Sequence, residues 1–197
     1  MIIAFKLLIV VVWVGAGVSK LNEHFVNVVP PMVANSPFNP SKWLKRAHVR
    51  SFPEDLLPSR FAWFMAHVTG TALEIVVPLL LLFTTDTTVA CVAALVMVAF
   101  HLFITSTFPL AVPLEWNVMF IFITVFLFIG HPPADGYGLA NFSSPWLLGL
   151  ISAALLFFPV LGNFRPDLVS FLISLRQYAG NWASAVWAFA PGAEAKL

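Results

Sequence analysis

The chain has 197 residues, of which 60% are hydrophobic and only 10% are charged, and its mean hydropathy is +0.91. Because soluble domains carry about 25% charged residues, this composition excludes a soluble globular protein and predicts an integral membrane protein. The net charge of +1, with no basic stripe along the chain, argues against a nucleic-acid partner.

Five apolar segments predict an all-α bundle of about five transmembrane helices within residues 1–165. Spanning the hydrocarbon takes roughly 20 apolar residues, and each segment meets or approaches that length. In chain order the predicted spans are about 2–20, 61–84, 87–110, 115–131 and 145–163. The single cysteine, Cys91, lies in the third span, so no internal disulfide can form.

The connection at 21–60 is the longest, and its six prolines exclude a long uninterrupted helix. Within it, WLKRAHVRSF at 43–52 predicts one short amphipathic helix at the lipid headgroups, and SFPEDL predicts that a helix stops and restarts. Residues 166–197 predict an amphipathic interfacial tail, a pair of helices interrupted at Gly180, with Trp182 and Trp187 in the headgroup layer.

The distribution of lysine and arginine predicts the orientation in the membrane. The first long loop carries Lys20, Lys42, Lys45, Arg46, Arg50 and Arg60, whereas the loops at 85–87 and 131–145 carry none. Because cytoplasmic loops are enriched in cations, we expect the first long loop and the C-terminus in the cytoplasm. The N-terminus then lies outside the inner (plasma) membrane. Lys6, a cation near that outer end, is the one residue that does not fit this orientation.

Ionisable residues in the second predicted span, His67 and Glu74, mark the first candidate site. A charge at the bilayer centre costs about 2.5–3.5 kcal/mol, so each one needs a physical reason. The two are seven residues apart, which returns them to one helix face after two turns. Glu74 either pairs with a cation or relays a proton, or it is a neutral, hydrogen-bonded acid on a packing face with Gly70.

The third and fourth spans add further polar candidates. His101 could be a haem or metal ligand, a quinone hydrogen-bond donor, or a satisfied core histidine. Glu115 and Asn117 lie at the start of the fourth span, where negative charge also suits the helix dipole. Topology allows Lys20, His67, Glu115 and Asn117 to cluster at the cytoplasmic side. We predict no metal site, because the sequence has no HxxxH or ExxH pair.

The stretch AGVSKLNEHF at 16–25 resembles the helix-end signature of the membrane domain of vitamin K-dependent γ-carboxylase and its bacterial HTTM relatives. In that family the lysine of the run activates reduced quinone, so the resemblance places this role on Lys20. A looser version of the stretch is similar to the DoxX-like small membrane proteins. Position alone suggests another role, since a lysine at a helix end extends to the headgroups.

A second resemblance covers nearly the whole chain. SKLNEHF, PMVANSP, FPEDLLPSR, VPLEWNV and RQYAGNW recur in this order in an actinobacterial-type family of long multipass membrane proteins, best known from mycobacteria. That family resembles a distant branch of the HTTM group and has no assigned activity. Its long members carry further spans before the AGxSK helix, so the resemblance implies a match to their C-terminal part. The chain is then a short member, a fragment, or one partner of a polypeptide that supplies those helices.

Three functions follow from these patterns. The first is a subunit of a larger membrane complex, which packs against other membrane subunits and holds a quinone, carotenoid or lipid; 20 Phe and seven Trp offer the apolar surface. The second is a quinone- or lipid-linked redox enzyme with carboxylase-like chemistry, in which Lys20 is the base and Glu74 and His67 orient groups or move protons. The third is a transporter or channel, which Glu74 allows. His101, Glu115 and Asn117 are the candidate cofactor-binding residues.

Overall fold

The computed structural model describes residues 1–34, 36, 41–107 and 111–168 of the chain. The described elements are helices joined by short turns, together with one two-stranded hairpin. In chain order they are α1 (Ile2–Ser19), α2 (Val29–Ala34), α3 (Lys42–Ala47), β1 (Val49–Ser51), β2 (Asp55–Pro58), α4 (Arg60–Phe83), α5 (Thr87–Thr107), α6 (Ala111–Thr124) and α7 (Pro145–Phe164).

The prediction of an all-α membrane bundle is confirmed, and the fourth predicted span proves irregular. Helices α1, α4, α5 and α7 are each long and apolar enough to cross a bilayer. The segment Leu114–Ile129 is shorter, and it makes a fifth span only together with Pro133–Asn141, which is bent from it by 55°. Pro132 and Pro133 follow directly after His131, and prolines cannot continue the hydrogen-bond ladder of a helix.

The first loop differs from its prediction as a single amphipathic helix at 43–52. Helix α3 ends at Ala47, and the chain then forms an antiparallel hairpin in which Val49 pairs with Pro58 and Ser51 with Asp55. The predicted helix restart at SFPEDL is therefore wrong. Pro53 lies at the tip of the hairpin, where it needs no backbone donor, and it could not have continued the helix.

Ser59 connects the end of α3 to the start of α4. The Ser59 hydroxyl donates to the Ala47 carbonyl at 2.6 Å, and the Ser59 amide donates to the His48 carbonyl at 3.0 Å. The same hydroxyl caps α4 by accepting a hydrogen bond from the Ala62 amide at 3.1 Å. The end of α3 is thereby hydrogen-bonded to the first turn of a helix of spanning length.

The core lies where α1, α4, α5 and the π-helical continuation of α6 (Val125–Ile129) meet. Trp13 of α1 is fully buried at its centre. Helix α5 contributes a small-residue face with helical spacing, made of Ala90, Ala93, Ala94, Met97 and His101. A smaller cluster of Val29, Val33 and Ala66 packs α2 against the first turns of α4.

Helix α7 packs against α1 and is otherwise exposed. Only 6% of its apolar window is buried, compared with 39% for α1 and for α4. After α7 the structure describes a short 3-10 turn at Pro166–Leu168. The rest of the predicted interfacial tail lies outside the described residues.

Candidate functional site

A buried ion pair joins Lys20, at the C-terminal cap of α1, to Glu74 in α4. Both side chains are almost removed from solvent, with exposed fractions of 12% for Lys20 and 5% for Glu74. The pair also lies beside an aromatic ring, since the Lys20 Nζ lies 5.7 Å from the centre of the Phe25 ring. A charge that is costly in a membrane interior is here matched by its opposite.

Gly17 explains why the two helices approach so closely at this point. A Cβ atom placed on Gly17 would lie 2.6 Å from Ile75 Cγ1 and 3.2 Å from Glu74 Cβ. The neighbouring Gly15 faces away, with nothing within 4 Å of the corresponding position. Gly17 therefore lets the backbone of α1 rest on α4 beside Glu74, and Lys20 follows one helical turn later.

A π-helical segment, Met65–Thr71, precedes Glu74 inside α4. The Thr71 hydroxyl donates to the Ala66 carbonyl, five residues earlier, at 3.0 Å. The wider π turn shifts the helix phase, so the seven-residue spacing no longer places His67 and Glu74 on one strict face. Segments of this kind are frequent at functional sites, because they re-aim side chains without ending the helix.

His67 is half-buried between aromatic rings at the side of the ion pair. Its ring centre lies 5.2 Å from that of Trp63 and 6.4 Å from that of Phe25. Phe25 therefore contacts both His67 and Lys20, and it connects the predicted histidine to the ion pair through an aromatic ring.

A second buried polar pair forms between His101 of α5 and Asn117 of α6. The His101 Nδ1 lies 2.7 Å from the Asn117 Oδ1, and the two residues are 1% and 6% exposed. With the Asn117 amide oxygen as acceptor, the protonated Nδ1 is the donor of this hydrogen bond. The imidazole of His101 stacks on Trp13 of α1, seven residues before Lys20, so both pairs contact the same face of α1.

The other nitrogen of His101 and the indole nitrogen of Trp13 are buried without a hydrogen-bond partner in the described part of the chain. The two rings stack with centres 5.9 Å apart and an angle of 26° between their planes. Phe120 lies 5.0 Å from the imidazole and completes this side of the cluster. With Nδ1 protonated, the Nε2 of His101 is an available acceptor in apolar surroundings.

The predicted cluster of Lys20, His67, Glu115 and Asn117 is replaced by these two pairs. Glu115 is exposed on α6, two residues before the buried Asn117. The reason is helical periodicity: residues two apart on a helix point to different sides. Glu115 and Asn117 therefore cannot face the same interior site.

Lys6 is a buried cation whose environment the sequence analysis missed. Its Nζ donates to the backbone carbonyls of His131 at 2.7 Å and Tyr137 at 2.8 Å, and it lies 5.3 Å from the centre of the Phe128 ring. The signal was present in the spacing: Lys6, Trp13, Gly17 and Lys20 follow one another by seven, four and three residues. This spacing places all four on one face of α1.

Among the described residues, no group of three His, Cys, Asp or Glu side chains could hold a metal ion. What the arrangement offers instead is acid–base chemistry. Lys20 and Glu74 can exchange a proton, which leaves either an ion pair or a neutral amine beside a neutral acid. His101 supplies a further hydrogen-bond acceptor.

Apolar helices in spanning lengths, with paired polar side chains in the interior, define a polytopic membrane protein. The chain belongs to the family described as transmembrane protein of unknown function (DUF3556), whose model matches residues 1–197. Comparisons with curated proteins and with solved structures give no match. The predicted membership in a multipass membrane family without an assigned activity is thus confirmed. A relation to the carboxylase group stays a proposal.

Proposed function

We propose that the protein is a subunit of a larger membrane complex and that it docks onto a partner subunit through α7. The observation that carries this proposal is the exposure of α7, which packs against α1 on one side and presents the rest of its apolar surface outward. Its exposed face includes Gly149 and Ala153, four residues apart, and a Cβ atom at Gly149 would meet nothing within 4 Å.

Small residues at this spacing support a close helix–helix contact. In a bilayer, lipid chains are as apolar as leucine, so helices associate by close packing of small residues and by polar contacts. Trp146 and Phe157 lie beside Gly149 and Ala153, and both are largely exposed. The four residues share one outward face of α7, on which we place the partner helix.

The matched test uses two adjacent alanines of α7. Ala153 shares the face of Gly149, whereas Ala154 is also exposed but lies about 100° around the helix. We expect the wild type, isolated in mild detergent, to carry a stoichiometric partner subunit, measured by native mass spectrometry. Ala153→Leu should lose that partner, and Ala154→Leu should keep it. A wild type that isolates alone, or equal behaviour of the two variants, would refute the proposal.

As part of this proposal, the complex holds a quinone, carotenoid or lipid. A cavity of about 390 Å³ supports a ligand with a small ring and a polar group. Its walls include Phe83, Leu139 and Leu148, with Thr84 and Asn141 as polar partners. Organic extraction of the purified protein, followed by mass spectrometry, should recover such a molecule in stoichiometric amount.

The proposal also keeps the orientation drawn from the cations, with the first long loop and the C-terminus in the cytoplasm and the N-terminus outside the inner membrane. Five cations within 41–60 support it. The test is labelling of single cysteines in a Cys91→Ala background with a membrane-impermeant reagent on intact cells. A cysteine at Asn141 should react and one at Glu54 should not; the reverse pattern would invert the orientation.

The second candidate function is a quinone- or lipid-linked redox enzyme in which Lys20 acts as base. The observation that favours it is the buried Lys20–Glu74 pair, since ionisable groups within membrane helices are mostly functional. A proton passing from Lys20 to Glu74 would leave a neutral amine able to take a proton from a quinol hydroxyl.

This candidate is tested by the oxidation of a reduced naphthoquinone, with dissolved dioxygen as the electron acceptor, in liposomes that contain the protein, compared with protein-free liposomes. The variant Lys20→Met/Glu74→Met removes both charges, so neither is left unpaired. We expect it to fold and to lose turnover. Turnover equal to that of the wild type would eliminate Lys20 as base, and a wild type without turnover would eliminate this substrate class.

A further inference from the structure

A cationic and aromatic surface lies on the first loop, apart from both buried pairs and from α7. It is formed by α3 and the hairpin that follows, and we call it the basic hairpin surface. Its principal residues are Lys42, Trp43, Lys45, Arg46, Arg50 and Phe52.

The charge of this part of the chain is out of proportion to the rest. Residues 41–60 contain five of the ten lysines and arginines and two of the nine acids, a net charge of +3. The whole chain has a net charge of +1, so the remaining residues together carry a net charge of −2. Positive charge is thus gathered into about a tenth of the sequence.

Most of these cations have no anionic partner among the described residues. Lys42, Lys45 and Arg46 are spaced by three and four residues, which places them on one face of α3. The Arg46 guanidinium lies 5.4 Å from the centre of the Phe52 ring, and Arg50 approaches Asp55 at 3.9 Å. The surface therefore offers a group of cations to an external anion.

Large apolar side chains stand exposed beside the cations. Trp43 is 74% exposed and Phe52 56% exposed. Cations next to exposed aromatic rings are typical of segments that lie at the boundary between headgroups and acyl chains. Ser59 hydrogen-bonds the end of α3 to the start of α4, a helix of spanning length, so the surface lies beside the end of a spanning helix.

We propose that the basic hairpin surface binds the headgroups of anionic phospholipids, with the phosphodiester between the α3 cations and Arg50 and with Trp43 and Phe52 against the acyl chains. The occupant is a lipid, because the exposed aromatic rings and the fixed attachment to a spanning helix serve a membrane surface. The proposal is independent of the partner subunit on α7.

The test is native mass spectrometry of the full chain, delipidated in detergent and mixed with phosphatidylglycerol or phosphatidylcholine of identical acyl chains. We expect phosphatidylglycerol to be retained in clear excess at equal concentration. A surface cation contributes about 1 kcal/mol of attraction to anionic lipid, so each removed charge should lower retention about fivefold.

The key variant is Lys45→Gln/Arg46→Gln, and Arg165→Gln, a cation outside the surface, is the matched control. The double variant should lose most of the preference for phosphatidylglycerol, while the control keeps it. Circular dichroism and thermal unfolding confirm that both variants fold. Equal retention of the two lipids by the wild type, or an undiminished preference in the folded double variant, would overturn the proposal.

Discussion

Two buried lysines lie on the same face of α1, near its opposite ends, and their surroundings differ in kind. Lys20 faces the carboxylate of Glu74. Lys6 faces the backbone carbonyls of His131 and Tyr137 and the ring of Phe128. Both are satisfied, but Lys20 has a charged partner, and the described partners of Lys6 are neutral dipoles.

The two environments permit different roles. Lys6 can only hold two segments together, whereas the Lys20–Glu74 pair can transfer a proton. A backbone carbonyl cannot take up a proton, so the contacts of Lys6 can only hold the loop after α6 against the start of α1. A carboxylate can take a proton, so the Lys20–Glu74 pair has two protonation arrangements. Acid–base chemistry is therefore concentrated at one end of α1. The His101–Asn117 pair packs against Trp13, midway along α1 between the two lysines.

The largest effect is expected from Lys20→Met, which leaves the Glu74 carboxylate buried and unpaired. Removing one partner of a buried ion pair costs about 3–5 kcal/mol. We expect a large drop in the midpoint of thermal unfolding in detergent, or loss of folded protein.

The double variant Lys20→Met/Glu74→Met is the control for this prediction. It replaces both charges with apolar side chains of similar length, and such replacements are often neutral or stabilising. We expect it to recover most of the lost stability. If the single and double variants were equally unstable, Lys20 would contribute through packing and not through its charge.

Lys6→Met should have a smaller effect, because it removes a charge-assisted donor without leaving an opposite charge behind. The two hydrogen bonds of Lys6 stabilise the fold, but the variant also removes the desolvation cost of a buried cation and frees only loop carbonyls, so we expect a net loss below about 3 kcal/mol. We expect a moderate loss of stability and faster hydrogen exchange at 131–137. Since Lys6 and Lys20 are about 21 Å apart along the helix, the effects of the two variants should add. Marked non-additivity would mean that the two ends of α1 are coupled.

Gly17→Leu tests whether close helix approach is what creates the ion pair. An added side chain would collide with Ile75 and Glu74, and overpacking typically costs about 1–3 kcal/mol. Gly15→Leu is the matched control, since Gly15 faces open space on the same helix. We expect only Gly17→Leu to lower the unfolding midpoint. Equal destabilisation by both would show that the close contact at Gly17 is not the cause, since helix propensity by itself favours leucine over glycine.

The composition and the apolar runs were sufficient to predict the bundle, because burial of backbone polar groups in lipid leaves helices as the spanning solution. They could not reveal the π-helical turn at Met65–Thr71, which depends on hydrogen bonding within α4. Nor could they reveal the hairpin at 49–58, whose strands are short and flanked by proline.

The site was predictable in part. A mid-span acid needs a partner, and the sequence leaves open that Glu74 pairs with a cation. Which cation it pairs with depends on the crossing of α1 and α4 at Gly17, and the two glycines at 15 and 17 look equivalent in the sequence. His101 and Asn117 were each singled out, but their mutual contact depends on how α5 packs against α6.

The smallest effect is expected at a third ion pair, Arg165–Asp167, which follows α7 and is exposed, with 2.9 Å between Arg165 Nη2 and Asp167 Oδ2. The hydrogen-bonded guanidinium holds the pKa of the Asp167 carboxyl below its ordinary value. A lowered pKa in the folded state means that any stabilisation is present at neutral pH and is lost as the pH falls through that pKa. Because exposed pairs are screened by water and salt, Asp167→Asn should barely change the unfolding midpoint at pH 7 and should not change it in acid. A clear loss at pH 7, comparable with that of Lys6→Met, would show that burial is not what separates the lysines of α1 from a surface pair.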